Sequence, residues 1–301
     1  MHPVFFDHAT IDDWIAEDAP LLDLTTQLLD LADRPARMAL VLREGGVAAC
    51  TEEAARVVQH CGGQVQACMP SGMHLQAGDV LLVATGDAPA LLRAWKVAQN
   101  LLEYACGVAS RTARLVRAVR AVAPGMAVLT TRKHAPGLRR IALKATLSGG
   151  AYPHRLGLGE TVLVFPQHRA LVGGWDALRL RLAGTAQALV EKKCVIEAHS
   201  LHDARQAVLA GADVVQFDKA SPAQLQDWCA QLRARHPALG LLAAGGIHEG
   251  NAAAYAATGV DALVTSSLYH APPADVGVRI EPVDYTGAPF LSNEDCAHGG
   301  Q

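Results

Sequence analysis

The acid-free stretch TTRKHAPGLRRIALKATLSGGAYPHR, residues 130–155, holds Arg132, Lys133, Arg139, Arg140, Lys144 and Arg155 together with His134 and His154. The chain as a whole carries 26 Lys and Arg against 29 Asp and Glu, so this concentration of cations is local. A guanidinium fork donates two parallel bonds to a carboxylate or phosphate. The chemistry on offer is therefore recognition of small anionic substrates. A general nucleic-acid binder is basic overall, which excludes that class. Arg132, Lys133 and Arg155 fall at predicted loop–strand junctions, where a cation serves a ligand. For Arg139, Arg140 and Lys144, a solvated basic helix face accounts for the charge equally well.

Two acids sit at the ends of apolar runs, Glu197 in CVIEA (194–198) and Asp218 after DVVQF (213–217). A lone buried carboxylate is costly. Such a pair either holds Mg2+ or stabilises a developing cation, with ion pairing to the basic cluster as the alternative. AAGGIHEGN (243–251) reads as a strand, Gly245-Gly246 and then a helix start, an arrangement that brings backbone N–H groups to a phosphate. Ser266 and Ser267 close the next run with two hydroxyls. His168 is either a ligand contact or a surface histidine. Asp213 and Asp261 read as turn acids at the opposite strand ends. A phosphate cup, a basic patch and two acids together suggest phosphoribosyl transfer from phosphoribosyl diphosphate with Mg2+. Its departing diphosphate needs positive charge and its oxocarbenium-like sugar needs negative charge.

These residues require a scaffold that collects many strand ends. From residue 126 onward, short β-rich runs at 126–131, 161–165, 194–198, 213–217, 239–244 and 261–265 alternate with helical patterns. This alternation implies parallel strands with crossover helices. Polar groups follow nearly every run, which favours a barrel mouth over the single switch point of an open sheet. In this reading a helix starts at Pro136 and returns the chain to the mouth at Pro153-His154-Arg155. The first third reads as mixed α and β. A helical period runs from about Ala88 to Val122, with Gly107 as a candidate break. The opening MHPVFFDHATIDDWIAED is acidic and broken by polar residues, unlike a secretory leader, and no apolar run reaches bilayer length. The seven cysteines form no CxxC pair, and Cys50, Cys61 and Cys68 fit no zinc spacing. A cytoplasmic protein with reduced thiols and no membrane partner is expected. The tail GAPFLSNEDCAHGGQ is expected to be poorly ordered.

TRKHAPGLR, GGAYPHRLGL, VIEAHS, VVQFDK and AAGGIHEGNAAAYAATGVDALVTSSLY resemble the quinolinate phosphoribosyltransferase family (nicotinate-nucleotide pyrophosphorylase, carboxylating). VAQNLLEYACGVASRT resembles that family's central helix, and REGGVAA its N-terminal domain. KHAPG, PHRLGLGETVLVF and QFDKAS are more similar still to its ModD branch, associated with molybdenum transport operons. The resemblance implies an incomplete α/β (TIM-like) barrel with an N-terminal α/β open-sandwich domain. Residues 1–115 would form the sandwich and the dimer-forming helix, 116–275 the barrel, and 276–301 a strand and tail. It also implies a homodimer with shared active sites, with higher oligomers open. By position, Arg132, Lys133, His154 and Arg155 would hold substrate carboxylates. Glu197 and Asp218 would sit near sugar and metal, with Lys133 beside them in the catalytic set. Gly245, Gly246, Ser266 and Ser267 would form the phosphate cup. His168 and Lys219 would complete the substrate pocket. The departures fall in the half that holds the base. The family's site lysine reads Phe165, its cross-dimer arginine reads Lys96, and the asparagine after the barrel acid reads Lys219. EKYA becomes ALKA (142–145) and NHR becomes PHR. The implied activity is transfer of phosphoribose to a quinolinate-like aromatic acid through an altered base pocket. The alternative is a non-catalytic anion- or molybdate-binding accessory protein.

Overall fold

The apolar runs of residues 127–265 become seven parallel strands because each presents one face to helices and the other to a lumen. The computed structural model describes residues 4–283, so the tail expected to be poorly ordered and Cys296 lie outside the described residues. The chain divides into two compact units. One comprises the N-terminal part to Ser110, Arg140–Ser148 and the chain from Ala271. The other comprises Arg111–Arg139 and Gly149–His270.

The second unit is built on strands Ala127–Thr130, Tyr152–Pro153, Val162–Val164, Cys194–Ala198, Val214–Asp218, Gly240–Ala244 and Ala262–Thr265. Tyr152–Pro153 and Val162–Val164 form the two edges of the curled sheet, and no pairing between them closes the ring. This is an incomplete α/β barrel. Its sheet faces alternate with period two. Val128, Ile196, Val215, Phe217, Leu241, Ala243 and Leu263 pack outward into one core with helix residues such as Ala204, Leu225 and Cys229. Leu242, Ala244, Ala262 and Val264 pack inward. Glu197 lies in register with Gln216, and Gln216 and Asp218 continue the inward positions of Val214. The lumen is thus apolar at the base and polar at the C-terminal strand ends.

The crossover helices start where the sequence caps them. Ser200 accepts from the Asp203 N–H, and Ser221 and Gln224 form a capping box behind Pro222. At the other strand ends Asp213 accepts from the Cys194 N–H and Asp261 from the Leu241 N–H, each at 2.7 Å. These acids tie each strand start to its neighbour.

In the first unit, an antiparallel sheet orders Val276–Pro282, Pro35–Leu42, Val80–Asp87 and Gln64–Cys68. Met38, Leu40, Leu82, Leu91 and Leu102 are fully buried in it, giving the open α/β sandwich. The helix Ala88–Val122 is continuous, contrary to the expected break at Gly107. Gly107 instead permits a close approach, since a Cβ there would lie 2.3 Å from the Pro272 carbonyl oxygen. The expected helix start at Pro136 is also corrected. Gly137, at φ +83, closes a turn first, and the helix runs Arg139–Ser148. The six described cysteines are free thiols. No helix among the described residues is long and apolar enough to cross a membrane.

Candidate active site

At the C-terminal strand ends a cavity of about 270 Å³ is lined by Lys133, Phe165, Glu197, Gln216, Asp218, the 244–248 loop and Val264–Ser267. Eight of the residues singled out in the sequence meet there: Lys133, Phe165, Glu197, Asp218, Gly245, Gly246, Ser266 and Ser267. A larger groove of about 560 Å³ opens at the strand starts near Cys194 and Asp213. It is the more voluminous of the two, but of the residues singled out in the sequence it gathers only Cys194 and Asp213, so the chemistry points to the smaller cavity.

The acids are electrostatically coupled. Burial, then the nearby Asp218 charge, raises the Glu197 carboxyl above the usual carboxylate range, against the opposing pull of His199, Gln216 and Lys133. Gln216 Nε2 donates to Glu197 Oε2 at 3.3 Å, and His199 Nε2 stands 3.6 Å from Glu197 Oε1. Ligand atoms of Glu197, His199 and Asp218 lie within 4.8 Å of one another. Two carboxylates at that spacing fit a hard dication such as Mg2+. Neither Gln216 nor His199 was singled out from the sequence. The signal was present in both cases. Gln216 is a polar residue inside an apolar run, and His199 follows Glu197 at period-two spacing, one residue past the strand's end.

The glycine loop departs from expectation in one respect. The helix after it starts only at Ala252 and is five residues long. A turn intervenes, because the Asn251 N–H bonds the His248 carbonyl at 3.0 Å. The groups that surround the glycine pair are therefore loop groups and not a helix N-terminus. Asn251 braces that loop, accepting from the His248 N–H and donating to the Gly246 carbonyl. Thr265 lends further support, donating to the Ile247 carbonyl at 2.6 Å and accepting from the Ser267 N–H. Tyr269 donates to the Thr131 carbonyl at 2.7 Å, and its ring meets His134 edge-on. Tyr269 thereby holds the loop that carries Arg132 and Lys133.

Arg132 and Arg155 are not among the cavity's lining residues but are close enough to feel one another. Burial, then the Arg132 charge, lowers Arg155, with Glu160 opposing. His154 lies beside them, its N–H on the Thr130 carbonyl, and burial followed by Arg155 lowers its pKa. His168 is engaged as a helix cap. Its Nδ1 accepts from the Phe165 N–H at 3.0 Å and its ring stacks on Phe165. Lys219 takes a left-handed φ of +61 and donates its N–H to the Ala244 carbonyl.

Lys96 belongs to the first unit, where it bonds Gln99 and lies over the Trp95 ring. In that unit Arg140 bonds Asp7 and Thr10. The solvated helix face allowed for Lys144 is overturned. Its side chain is only 6% exposed and pairs with Glu52 and Glu53.

Comparison with known proteins agrees with this architecture. The C-terminal domain of quinolinate phosphoribosyl transferase matches residues 108–279, and the N-terminal domain matches residues 23–106. The chain is 41% identical over 247 residues to a Rhodobacter capsulatus protein named "Putative pyrophosphorylase ModD", covering 79% of this chain and 92% of that protein. It is 32% identical to the human nicotinate-nucleotide pyrophosphorylase (carboxylating) over 88% of each chain. The crystal structure of NadC from Streptococcus pyogenes superimposes with a TM-score of 0.82 at 26% identity, covering 92% of this chain and 96% of that one. With both family domains matched in order and the strand-end cavity where the fold places it, the chain belongs to the quinolinate phosphoribosyltransferase family.

Proposed function

We propose that the chain transfers the phosphoribosyl group of phosphoribosyl diphosphate, delivered with Mg2+, to a planar aromatic acid other than quinolinate. The observation that carries this reading is the convergence of Lys133, Glu197, Asp218, Gly245, Gly246 and Ser266 on one cavity. The donor's 5′-phosphate takes the Gly245-Gly246 loop and the hydroxyls of Ser266 and Ser267. A ring nitrogen of the acceptor attacks C1′ as the bond from C1′ to the diphosphate oxygen breaks. The bonding electron pair leaves with diphosphate, whose charge Lys133 and the Arg132–Arg155 pair offset. The cationic sugar develops facing the negative charge of the Glu197 and Asp218 carboxylates. Catalysis is then mainly electrostatic and positional. The two acids are the residues that would hold Mg2+, which would screen the charge of the donor's diphosphate. His154 contributes to the acceptor's carboxylate contacts. Lys96, in a homodimer, serves the partner copy's site.

Phosphoribosyl diphosphate with Mg2+ at a hundred times its dissociation constant raises the stability of the fold by about 2.7 kcal/mol, seen as a higher melting temperature. No shift at millimolar donor, with a shift in molybdate, would mark the chain as an anion-binding accessory protein instead.

Phe165 lines the cavity where the family pattern has a lysine. An aromatic ring there offers a flat apolar wall and no charge for a second carboxylate. Phe165→Lys restores one charge-assisted hydrogen bond, worth about 1.5–3 kcal/mol, so quinolinate binding by calorimetry tightens roughly tenfold or more. Unchanged affinity would assign acceptor choice to another residue.

A further inference from the structure

We propose that His8 and His60 form a surface site for a zinc-class transition dication, with Asp12 orienting His60 from behind. Both histidines belong to the first unit, and the site does not depend on the transferase reading. His8 Nδ1 and His60 Nε2 face one another at 3.2 Å. The ring planes are 18° apart and the centroids 5.2 Å apart. Near-parallel rings whose nitrogens are so much closer than their centres meet edge to edge, with the two nitrogens on the facing edges. The other nitrogen of His60, Nδ1, is 2.8 Å from Asp12 Oδ1. A carboxylate there accepts the Nδ1 proton and leaves Nε2 with a free lone pair. That is the arrangement that fixes the tautomer of a metal-binding histidine and raises its basicity.

The pair is held in place by its own elements. His8 opens the helix His8–Asp18, and His60 closes the helix Thr51–His60. Asp7 caps the first helix by accepting from the Thr10 N–H at 2.8 Å. Arg56, one turn before His60, donates to the Phe6 carbonyl at 2.8 Å, and the buried Phe6 and Ile11 anchor the same segment. The two rings therefore need little ordering to share an ion. Their spacing fits one. Two donors each about 2.0–2.1 Å from Zn2+ and subtending about 100–110° lie roughly 3.1–3.4 Å apart. Imidazole nitrogens suit Zn2+, Cu2+ and Ni2+, whereas Mg2+ and Ca2+ take oxygen ligands. Water completes the coordination, because His8 is open to solvent. A bound ion ties the helix His8–Asp18 to the helix Thr51–His60.

The test uses the full chain without an affinity tag, stripped with EDTA and then kept in excess Mg2+, and titrates Zn2+ by calorimetry. We expect the wild type to bind one Zn2+ per chain that His8→Ala and His60→Ala both lose. Asp12→Ala should weaken that Zn2+ about tenfold or more. His8, Asp12 and His60 are exposed, so the variants keep the fold, which their melting curves without metal check. Zn2+ should raise the melting temperature of the wild type more than that of His8→Ala, since an ion bound only by the folded state stabilises it. With Cu2+ in place of Zn2+, electron paramagnetic resonance should show splitting from two ring nitrogens in the wild type and from fewer in either histidine variant. Equal Zn2+ stoichiometry and affinity in the wild type and both histidine variants would overturn the site and leave His8 and His60 as a hydrogen-bonded pair. Loss of Zn2+ in both histidine variants with unchanged affinity in Asp12→Ala would keep the ion and remove the role given to Asp12.

Discussion

Lys144→Met lowers the stability of the folded chain by about 3–5 kcal/mol, the range found when one partner of a buried ion pair is removed. Lys144 lies on the helix Arg139–Ser148, and its Nζ reaches Glu52 and Glu53 at the start of the helix Thr51–His60. The Lys144 and Glu53 side chains are 6% and 7% exposed. Methionine fills similar space but leaves the Glu53 carboxylate buried without a counter-ion. Urea unfolding measures the effect as a lower midpoint at unchanged slope. Glu53→Gln combined with Lys144→Met removes both buried charges, so most of the lost stability returns, as expected for residues in contact. A loss below about 1 kcal/mol in the single variant would show that water reaches the pair. The cluster also sets a pH window. Burial pushes the Glu52 carboxyl up, but hydrogen bonds from Lys144 and from the hydroxyl and N–H of Ser71 outweigh it and bring it down to about 2. A depressed carboxylate stabilises the fold above its unfolded pKa, and that contribution is lost as pH falls toward 2. Burial pushes Lys144 down, yet its bonds to Glu52 and Glu53 leave it raised. A raised ammonium contributes below its unfolded pKa, and the contribution is lost as pH rises through the folded value. Stability from this cluster is therefore greatest between the carboxylate and lysine ranges.

The barrel was legible because its strands are short apolar runs punctuated by turn chemistry. CVIEA and the helix Ala88–Val122 stand in the fold with the bounds their patterns suggest. The strand Tyr152–Pro153 is two residues long and contains proline, so periodicity cannot reveal it; proline is tolerated there because the strand is a sheet edge. The Pro136 helix start failed because Gly137 adopts a left-handed turn that no local propensity outweighs. Lys144 was opaque for a different reason. Its partners lie about ninety positions away, and nothing local separates a lysine on a solvated face from one that long-range packing buries. Within the site, strand-end position located the acids and the glycine loop. Gln216 was visible as a polar residue inside an apolar run and His199 as a period-two partner of Glu197, but only the register that sets Gln216 opposite Glu197 assigns it to that acid. Side-chain chemistry was therefore readable wherever it coincided with a strand end, and hidden wherever it depended on pairing.

Gly245→Ala abolishes binding of ribose 5-phosphate at the cup, by at least about a hundredfold, whereas Gly246→Ala weakens it less than about tenfold. Both glycines have positive φ, +86 and +75. Alanine in the left-handed region costs about 1–2 kcal/mol at either position. Space separates the two. A Cβ on Gly246 meets nothing within 4 Å. A Cβ on Gly245 would lie 2.5 Å from Asp218 Oδ1, 2.7 Å from Lys219 Cγ and 2.7 Å from the Lys219 backbone nitrogen. The side-chain atoms could swing aside, but the nitrogen cannot. The Lys219 N–H is bonded to the Ala244 carbonyl at 2.8 Å, and Lys219 is itself held at φ +61. Relieving the overlap must break that bond and shift the end of the strand that carries Asp218. One methyl group would thus disturb the cup and the acid pair together, with strain of about 1–3 kcal/mol in the folded state. Calorimetry with ribose 5-phosphate and urea unfolding on both variants separate the two glycines. Equal losses at 245 and 246 would mean that the left-handed backbone alone governs the loop and that contact with Lys219 does not.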